Sequence, residues 1–247
     1  MKRPIILKLT KLALISSLLT YTLPSIAAIT PGGMANVSWS IKNAPVDGVD
    51  SITFPIRINN SPAEPGYYYA QQFNMINGNL GYIGIKPQYS GATLAFSVFG
   101  SGTSAVNTSL CKSGADGGAG TSCSVWLTKF VPGKLYYLNV YRDSNDTSVW
   151  HGSLTNASDD EKVVLGAWRQ PASAKGIAGS HVGFVEYYKS LAGCADLQKA
   201  GVDFHQPRVD GFSTTITGPN EYGRCKGNMN FSGKNTDKWM ATVAVGY

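Results

Sequence analysis

Long apolar runs are nearly absent from this chain of 247 residues: beyond residue 27 no segment approaches the ~20 uninterrupted apolar side chains of a membrane-spanning helix. Charge is scarce as well, with 15% charged side chains divided into 21 Lys+Arg and 15 Asp+Glu, which excludes a disordered acidic or polybasic protein. Histidine occurs only as His151, His181 and His205, with no HExxH or HxH spacing, so a zinc hydrolase has no scaffold here. Gly-x-Ser-x-Gly is missing too, and with it the nucleophile elbow of a serine hydrolase. The four cysteines, Cys111, Cys123, Cys194 and Cys225, lack the CxxC spacing of a four-cysteine zinc site, and no metal site is expected.

What is present begins with an export signal. Lys2, Arg3, Lys8 and Lys11 precede the apolar run Leu12-Ala13-Leu14-Ile15 and Leu18-Leu19, and small residues stand at Ser25 and Ala27, as signal-peptide cleavage requires. The expected secretory signal therefore covers residues 1–27, and the mature product is secreted or periplasmic. Removing those four cations from the formal +6 leaves 17 basic against 15 acidic residues, a net of +2. So small a field gives no electrostatic basis for nucleic-acid binding. An even cysteine count in an exported chain favours disulfides. Three connectivities are open; proximity favours Cys111–Cys123 and Cys194–Cys225, each contributing about 3–4 kcal/mol through loop entropy.

The mature chain is dominated by period-2 alternation of β-branched and aromatic residues, bounded by Gly, Pro, Asn and Asp. Examples are Val37-Trp39-Ile41, Ile52 to Ile58, Tyr67 to Phe73, Leu94-Phe96-Val98, Leu135 to Tyr141, Val163 to Trp168 and Val182 to Tyr188. The expected fold is all-β, an antiparallel two-sheet sandwich of the concanavalin-like or jelly-roll type, over residues 28–190. Residues 191–247 are expected to form a disulfide-stapled extension packed on the sandwich. Pro55 marks its strand as an edge or a bulge, and only Cys194 to Ala200 looks helical. Ser101 to Ser122, rich in Gly, Ser and Thr, reads as a loop pinned by cysteines. The final stretch from Trp239 to Tyr247 alternates and ends on an aromatic, as outer-membrane barrel strands do, but short, proline-interrupted strands and disulfides weigh against a barrel.

Several segments resemble, in order, a bacterial secreted family known as domain of unknown function 3472. They are Tyr67-Tyr68-Tyr69-Ala70-Gln71-Gln72-Phe73, Gly81-Tyr82-Ile83-Gly84-Ile85-Lys86, Ala95-Phe96-Ser97-Val98-Phe99, Gly114 to Thr121, Gly133-Lys134-Leu135-Tyr136-Tyr137 and Gly183-Phe184-Val185-Glu186-Tyr187-Tyr188. The likeness covers about residues 53–188. This chain has Ala119 where members often carry an acid, and Phe99 where they often carry Trp. The resemblance implies a secreted β-rich module, sometimes found beside carbohydrate-binding-like domains and without an assigned activity.

Function is sought in the polar and aromatic residues. Sugars are recognised by flat aromatic faces with amides and carboxylates on the hydroxyls. Tyr67, Tyr69 and Gln71 share one strand face, and Tyr137, Asn139 and Tyr141 share another; with Trp150 and Trp168 they form the expected glycan-contacting set. Glu186, in a strand of aromatics, is the candidate catalytic acid, with Asp116, Asp143 or Asp146 as partner carboxylate. Asp116 in its glycine-rich stretch could also hold calcium, although a single acid is thin for that ion. Otherwise no cofactor is expected. The sequence thus points first to a lectin-like protein that binds a glycan or cell-surface polysaccharide. A polysaccharide hydrolase or lyase using Glu186 is the alternative, and an exported inhibitor docking on a protein partner through its tyrosines is the third reading.

Overall fold

The computed structural model describes residues 28–76, 78–171 and 173–246, and the expected signal peptide, residues 1–27, lies outside them. In chain order the strands are β1 (Gly32–Ile41), β2 (Ser51–Asn60), β3 (Tyr67–Asn74), β4 (Leu80–Gln88), β5 (Gly91–Phe99), β6 (Ser104–Ala105), β7 (Cys111–Ala115) and β8 (Gly118–Leu127). They continue as β9 (Leu135–Arg142), β10 (Val149–Asn156), β11 (Lys162–Arg169), β12 (Ser180–Tyr187), β13 (Ala200–His205), β14 (Thr214–Glu221), β15 (Ser232–Thr236) and β16 (Met240–Val245).

Two eight-stranded antiparallel sheets result, the first in the order β14-β1-β12-β3-β4-β5-β8-β7 and the second in the order β15-β16-β13-β2-β9-β10-β11-β6. Alternation explains why they stack. Val37, Trp39, Ile83, Ile85, Leu94 and Phe96 of the first sheet and Phe54, Ile56, Leu138, Val140, Trp150 and Trp168 of the second are all buried in one core. Trp39 meets Phe54 with centroids 5.4 Å apart, and Phe96 stacks on Trp168 at 4.8 Å, so large rings bridge the sheets at two places. Truncating any of these rings to Ala leaves a void costing about 3–5 kcal/mol. Both disulfides follow the pairing that proximity favours, and Cys111 stands directly opposite Cys123 across β7 and β8.

Three expectations are corrected, and the edge-or-bulge reading of Pro55 is decided for the bulge. Pro55 does not mark an edge: β2 lies between β13 and β9, and the proline sits where the β13 ladder stops at Ile56–Phe204 and resumes only at Thr53–Arg208, the bulge that a missing N–H tolerates. The C-terminal segment is no appendage, since β13 is interior to the second sheet and β14 flanks β1 in the first. The expected helix is a single 3-10 turn, Cys194–Asp196. Finally, the glycine-rich stretch is mostly a hairpin. β7 and β8 meet at Asp116 and Gly117, whose φ values of 45° and 79° make the two-residue turn that Asp-Gly favours. The last strand pairs within the second sheet, burying Ala241, Val243 and Val245 against the core, so the chain forms two open sheets rather than a closed barrel. Among the described residues no helix is long and apolar enough to cross a membrane. The disulfides point to an oxidising compartment, extracellular or periplasmic.

Candidate functional site

Five of the expected contact residues face inward. Tyr67, Tyr69, Gln71, Trp150 and Trp168 are at most 1% exposed and lie between the sheets. The phenols explain how tyrosines can be core residues. Tyr67 Oη donates to the Gln198 carbonyl at 2.6 Å, and Tyr69 Oη reaches the Ser61 hydroxyl at 3.3 Å, so each ring is buried while its oxygen finds a partner at the rim. The run Tyr-Tyr-Tyr-Ala-Gln-Gln carries tyrosine and glutamine on both faces, so its parity was not readable. The outward residues are Tyr68, Ala70 and Gln72.

The outer face of the first sheet gathers Glu186. This side chain stands opposite Tyr68 in the β12–β3 register, with Phe184 and Tyr188 on the same side of its strand. Tyr68 packs edge-on against both Phe184 and Tyr82, which in turn meets Phe99, giving a small second cluster outside the main core. Two glycines make room for it. A Cβ on Gly84 would lie 2.7 Å from the Tyr68 ring, and one on Gly33, opposite Glu186, would lie 2.1 Å from the Tyr222 hydroxyl. Lys86 Nζ stands 4.5 Å from the Tyr68 centroid and 5.3 Å from that of Tyr188. The turn at the tip of the β7–β8 hairpin brings Asp116 into the same patch, with the Tyr82 hydroxyl 3.0 and 2.9 Å from its two carboxylate oxygens.

Electrostatics follow from this packing. Burial pushes the Glu186 carboxyl above its ordinary range; Lys86 opposes the shift and Asp116 adds to it. Burial first, then Asp116, holds the Tyr82 phenol well above its usual value, so it remains a donor. Tyr68 is raised by burial and then by Tyr82, Asp116 and Glu186. Its hydroxyl is buried with no hydrogen-bond partner among the described residues. The other two carboxylates considered as partners for Glu186 are engaged elsewhere, in the connection between β9 and β10. Asp143 meets His151 Nε2 at 2.9 Å, and Asp146 pairs with Arg169 at 2.6 Å. The Ser148 hydroxyl, followed by Arg169, lowers the Asp146 carboxyl to about 2. Among the described residues no group of three or more His, Cys, Asp or Glu is placed to hold a metal ion, and Asp116 bonds a phenol rather than joining a ring of oxygens.

The outer face of the second sheet carries Tyr137, Asn139 and Tyr141, as the alternation of β9 predicts. A depression of about 410 Å³ opens there, lined by Thr53, Asn139, Tyr141, Ser153, Thr155 and Lys162 among others. Asn139 is held in place: its Oδ1 accepts from Thr53 at 2.8 Å, and its Nδ2 donates to Tyr137 O at 3.2 Å and to Thr155 Oγ1 at 3.3 Å. The rings are already attended. Tyr141 stacks on His151 at 5.1 Å with Lys162 Nζ 5.1 Å from its centroid, and the Arg208 guanidinium lies 4.9 Å from the Tyr137 centroid. Arg208 also lines a cleft of about 550 Å³ beside Trp239, which is 64% exposed. Sequence reasoning missed Lys86, Lys162, Arg208 and Trp239. Only Trp239 carried a signal, as an aromatic flanked by the turn residues Asp237 and Lys238.

No family model matches the chain, and no curated protein matches it. Among solved structures, scytalido-glutamic peptidase bound to a peptide-based transition-state analogue superposes with a TM-score of 0.45 at 10% identity, covering 90% of this chain and 100% of that one. SCP-B, a member of the eqolisin family of peptidases in complex with the tripeptide Ala-Ile-His, gives 0.43 at 10% identity over the same shares. The CBM2 module of the evolved Dit of Lactobacillus casei BL23 phage J-1 gives 0.30 at 10% identity, over 61% of this chain and 69% of that one.

Proposed function

We propose that the protein is a lectin-like binder of acidic polysaccharide and that the outer face of the second sheet is its contact surface. The observation carrying this reading is the depression around Asn139, in which hydroxyls and one clamped amide sit beside Lys162 and Arg208. Hydroxyl and amide groups exchange hydrogen bonds with sugar hydroxyls, and prior clamping of Asn139 by Thr53 reduces the rotamer entropy lost on binding. Neither Lys162 nor Arg208 forms an ion pair with a carboxylate among the described residues, which leaves both cations for uronate or sulfate groups. Arg208 connects the depression to the Trp239 cleft, where an exposed indole offers the bare ring that Tyr137 and Tyr141, already covered by cations, do not.

The test is retention of the purified protein on immobilised neutral, uronic and sulfated polysaccharides. Preferential retention on an acidic polymer is expected, reduced about tenfold or more by Lys162→Ala together with Arg208→Ala. Equal retention on neutral polymers would remove the role of the two cations. Retention on none would favour a protein partner for this face.

A further inference from the structure

We infer that the cleft beside Trp239 is a second subsite that takes an uncharged sugar ring, so that the ligand is a heteropolysaccharide carrying neutral units beside its acidic ones. This rests on the reading of the outer face of the second sheet as a polysaccharide-contact surface, and it adds the composition of the polymer. The two hollows are joined through one residue. Thr53 clamps Asn139 in the depression with its hydroxyl, while its backbone exchanges two hydrogen bonds with Arg208, at 2.9 and 2.8 Å. Arg208 in turn lines the cleft, so a chain crossing from one hollow to the other stays on connected ground.

The hollows differ in charge. The depression is lined by Lys162 and no carboxylate, whereas the cleft, of about 550 Å³, sets Asp210 and Asp237 against Arg208 and Lys238. None of these four forms an ion pair among the described residues, so each keeps its hydrogen-bonding capacity for sugar hydroxyls. An anionic ring in the cleft would meet two carboxylates and the negative face of the indole. An uncharged ring lays its C–H side on that face instead. Trp239 is also the most open of the five tryptophans, at 64% against 46% for Trp126 and at most 1% for the others. Its backbone support is fixed. Asp237 and Lys238, at φ 48° and 64°, both adopt the left-handed conformation that a lysine seldom takes. Lys238 N donates to Asn235 Oδ1 at 3.1 Å and Trp239 N to the Thr236 carbonyl at 2.9 Å. From outside the hairpin, Ile216 N donates to the Lys238 carbonyl at 3.3 Å and Gln206 N to that of Trp239 at 2.8 Å. Unfavourable backbone angles persist where the surroundings impose them, as at ligand clamps, and an indole on so fixed a turn loses less freedom on binding.

The experiment compares retention of the oxidised protein on two all-uronate polymers, polygalacturonate and alginate, and on two that mix uronate with neutral sugar, hyaluronan and gellan. Charge density alone predicts stronger retention on the all-uronate pair. At least one mixed polymer should instead hold the protein about tenfold more strongly, and Trp239→Ala should remove that excess while changing retention on polygalacturonate less than about twofold. A second readout needs no acidic polymer. In Trp126→Phe the remaining exposed indole is Trp239, and cello- or chito-oligosaccharides should shield it from acrylamide quenching where oligogalacturonate does not. Shielding by neutral sugar without retention on any acidic polymer would uphold the subsite and overturn the acidic reading of the depression. An equal loss on all four polymers in Trp239→Ala, or shielding by oligogalacturonate alone, would overturn the subsite and leave polysaccharide contact standing. No preference for a mixed polymer together with no shielding would likewise overturn it.

Discussion

The two outer faces of this sandwich are built from the same pleat and hold opposite chemistry. On the second sheet the rings of Tyr137 and Tyr141 lie under the cations Arg208 and Lys162, and the ground between them is hydroxyl and amide. On the first sheet the rings of Tyr68, Tyr82, Phe99, Phe184 and Tyr188 pack against one another and surround carboxylates. A solvated face that keeps its aromatics apart suits contact with an extended ligand. One that spends them on a second small core can hold an acid partly out of water, and so change its proton affinity. Alternation along a strand sets which residues face outward, but the partners contributed by neighbouring strands decide what that face can do.

Four measurements would break or sharpen this contrast. The largest effect is expected in stability. Tyr68→Ala should cost about 3–4 kcal/mol in denaturant unfolding, because the side chain is buried in the outer cluster, whereas Tyr137→Ala should cost less than about 1 kcal/mol. Similar losses would mean the faces are packed alike. Replacing Cys111 and Cys123 by Ser should cost about 2–4 kcal/mol. It should leave polymer retention near wild type, since this crosslink closes a hairpin at the edge of the first sheet, away from the face proposed for contact. Raising salt from 50 to 500 mM should weaken retention on acidic polymer severalfold, since exposed cations are screened, yet leave the thermal midpoint nearly unchanged, since the outer cluster of the first sheet is held by apolar packing. The smallest effect is a pH dependence of stability. The Glu186 carboxyl titrates higher folded than unfolded, so the folded state binds the extra proton and stability falls as pH rises from the ordinary carboxylate range through the raised value. Glu186→Gln should therefore be slightly more stable than wild type at pH 7, and the gap should close near pH 4 in thermal scans.

The architecture was largely legible because it rests on a periodicity that any pairing must respect. The inward set Ile52, Phe54, Ile56 and Ile58 is visible as letters alone. Parity failed where both faces read alike, as in Tyr67 to Gln72, and there the choice between core and ligand surface depended on which neighbouring sheet had bulk to spare. The Asp-Gly pair at 116 and 117 was a strong hairpin signal, hidden by the low complexity around it. Glu186 could be picked out from its aromatic strand, and Asp116 stood among three possible partners. That Asp116 and not Asp143 or Asp146 joins it depends on a hairpin two strands away from Tyr82, a long-range fact with no local trace. Lys162 and Arg208 were unremarkable as letters, because only tertiary pairing places them over rings.

The covalent tie between β7 and β8 has one further consequence. Thiols stay reduced where the chain is synthesised and join only where oxidant is supplied. Asp116 lies inside the loop that this tie closes, so the hairpin that holds its carboxylate against the Tyr82 hydroxyl is covalently fixed only after the polypeptide reaches such surroundings.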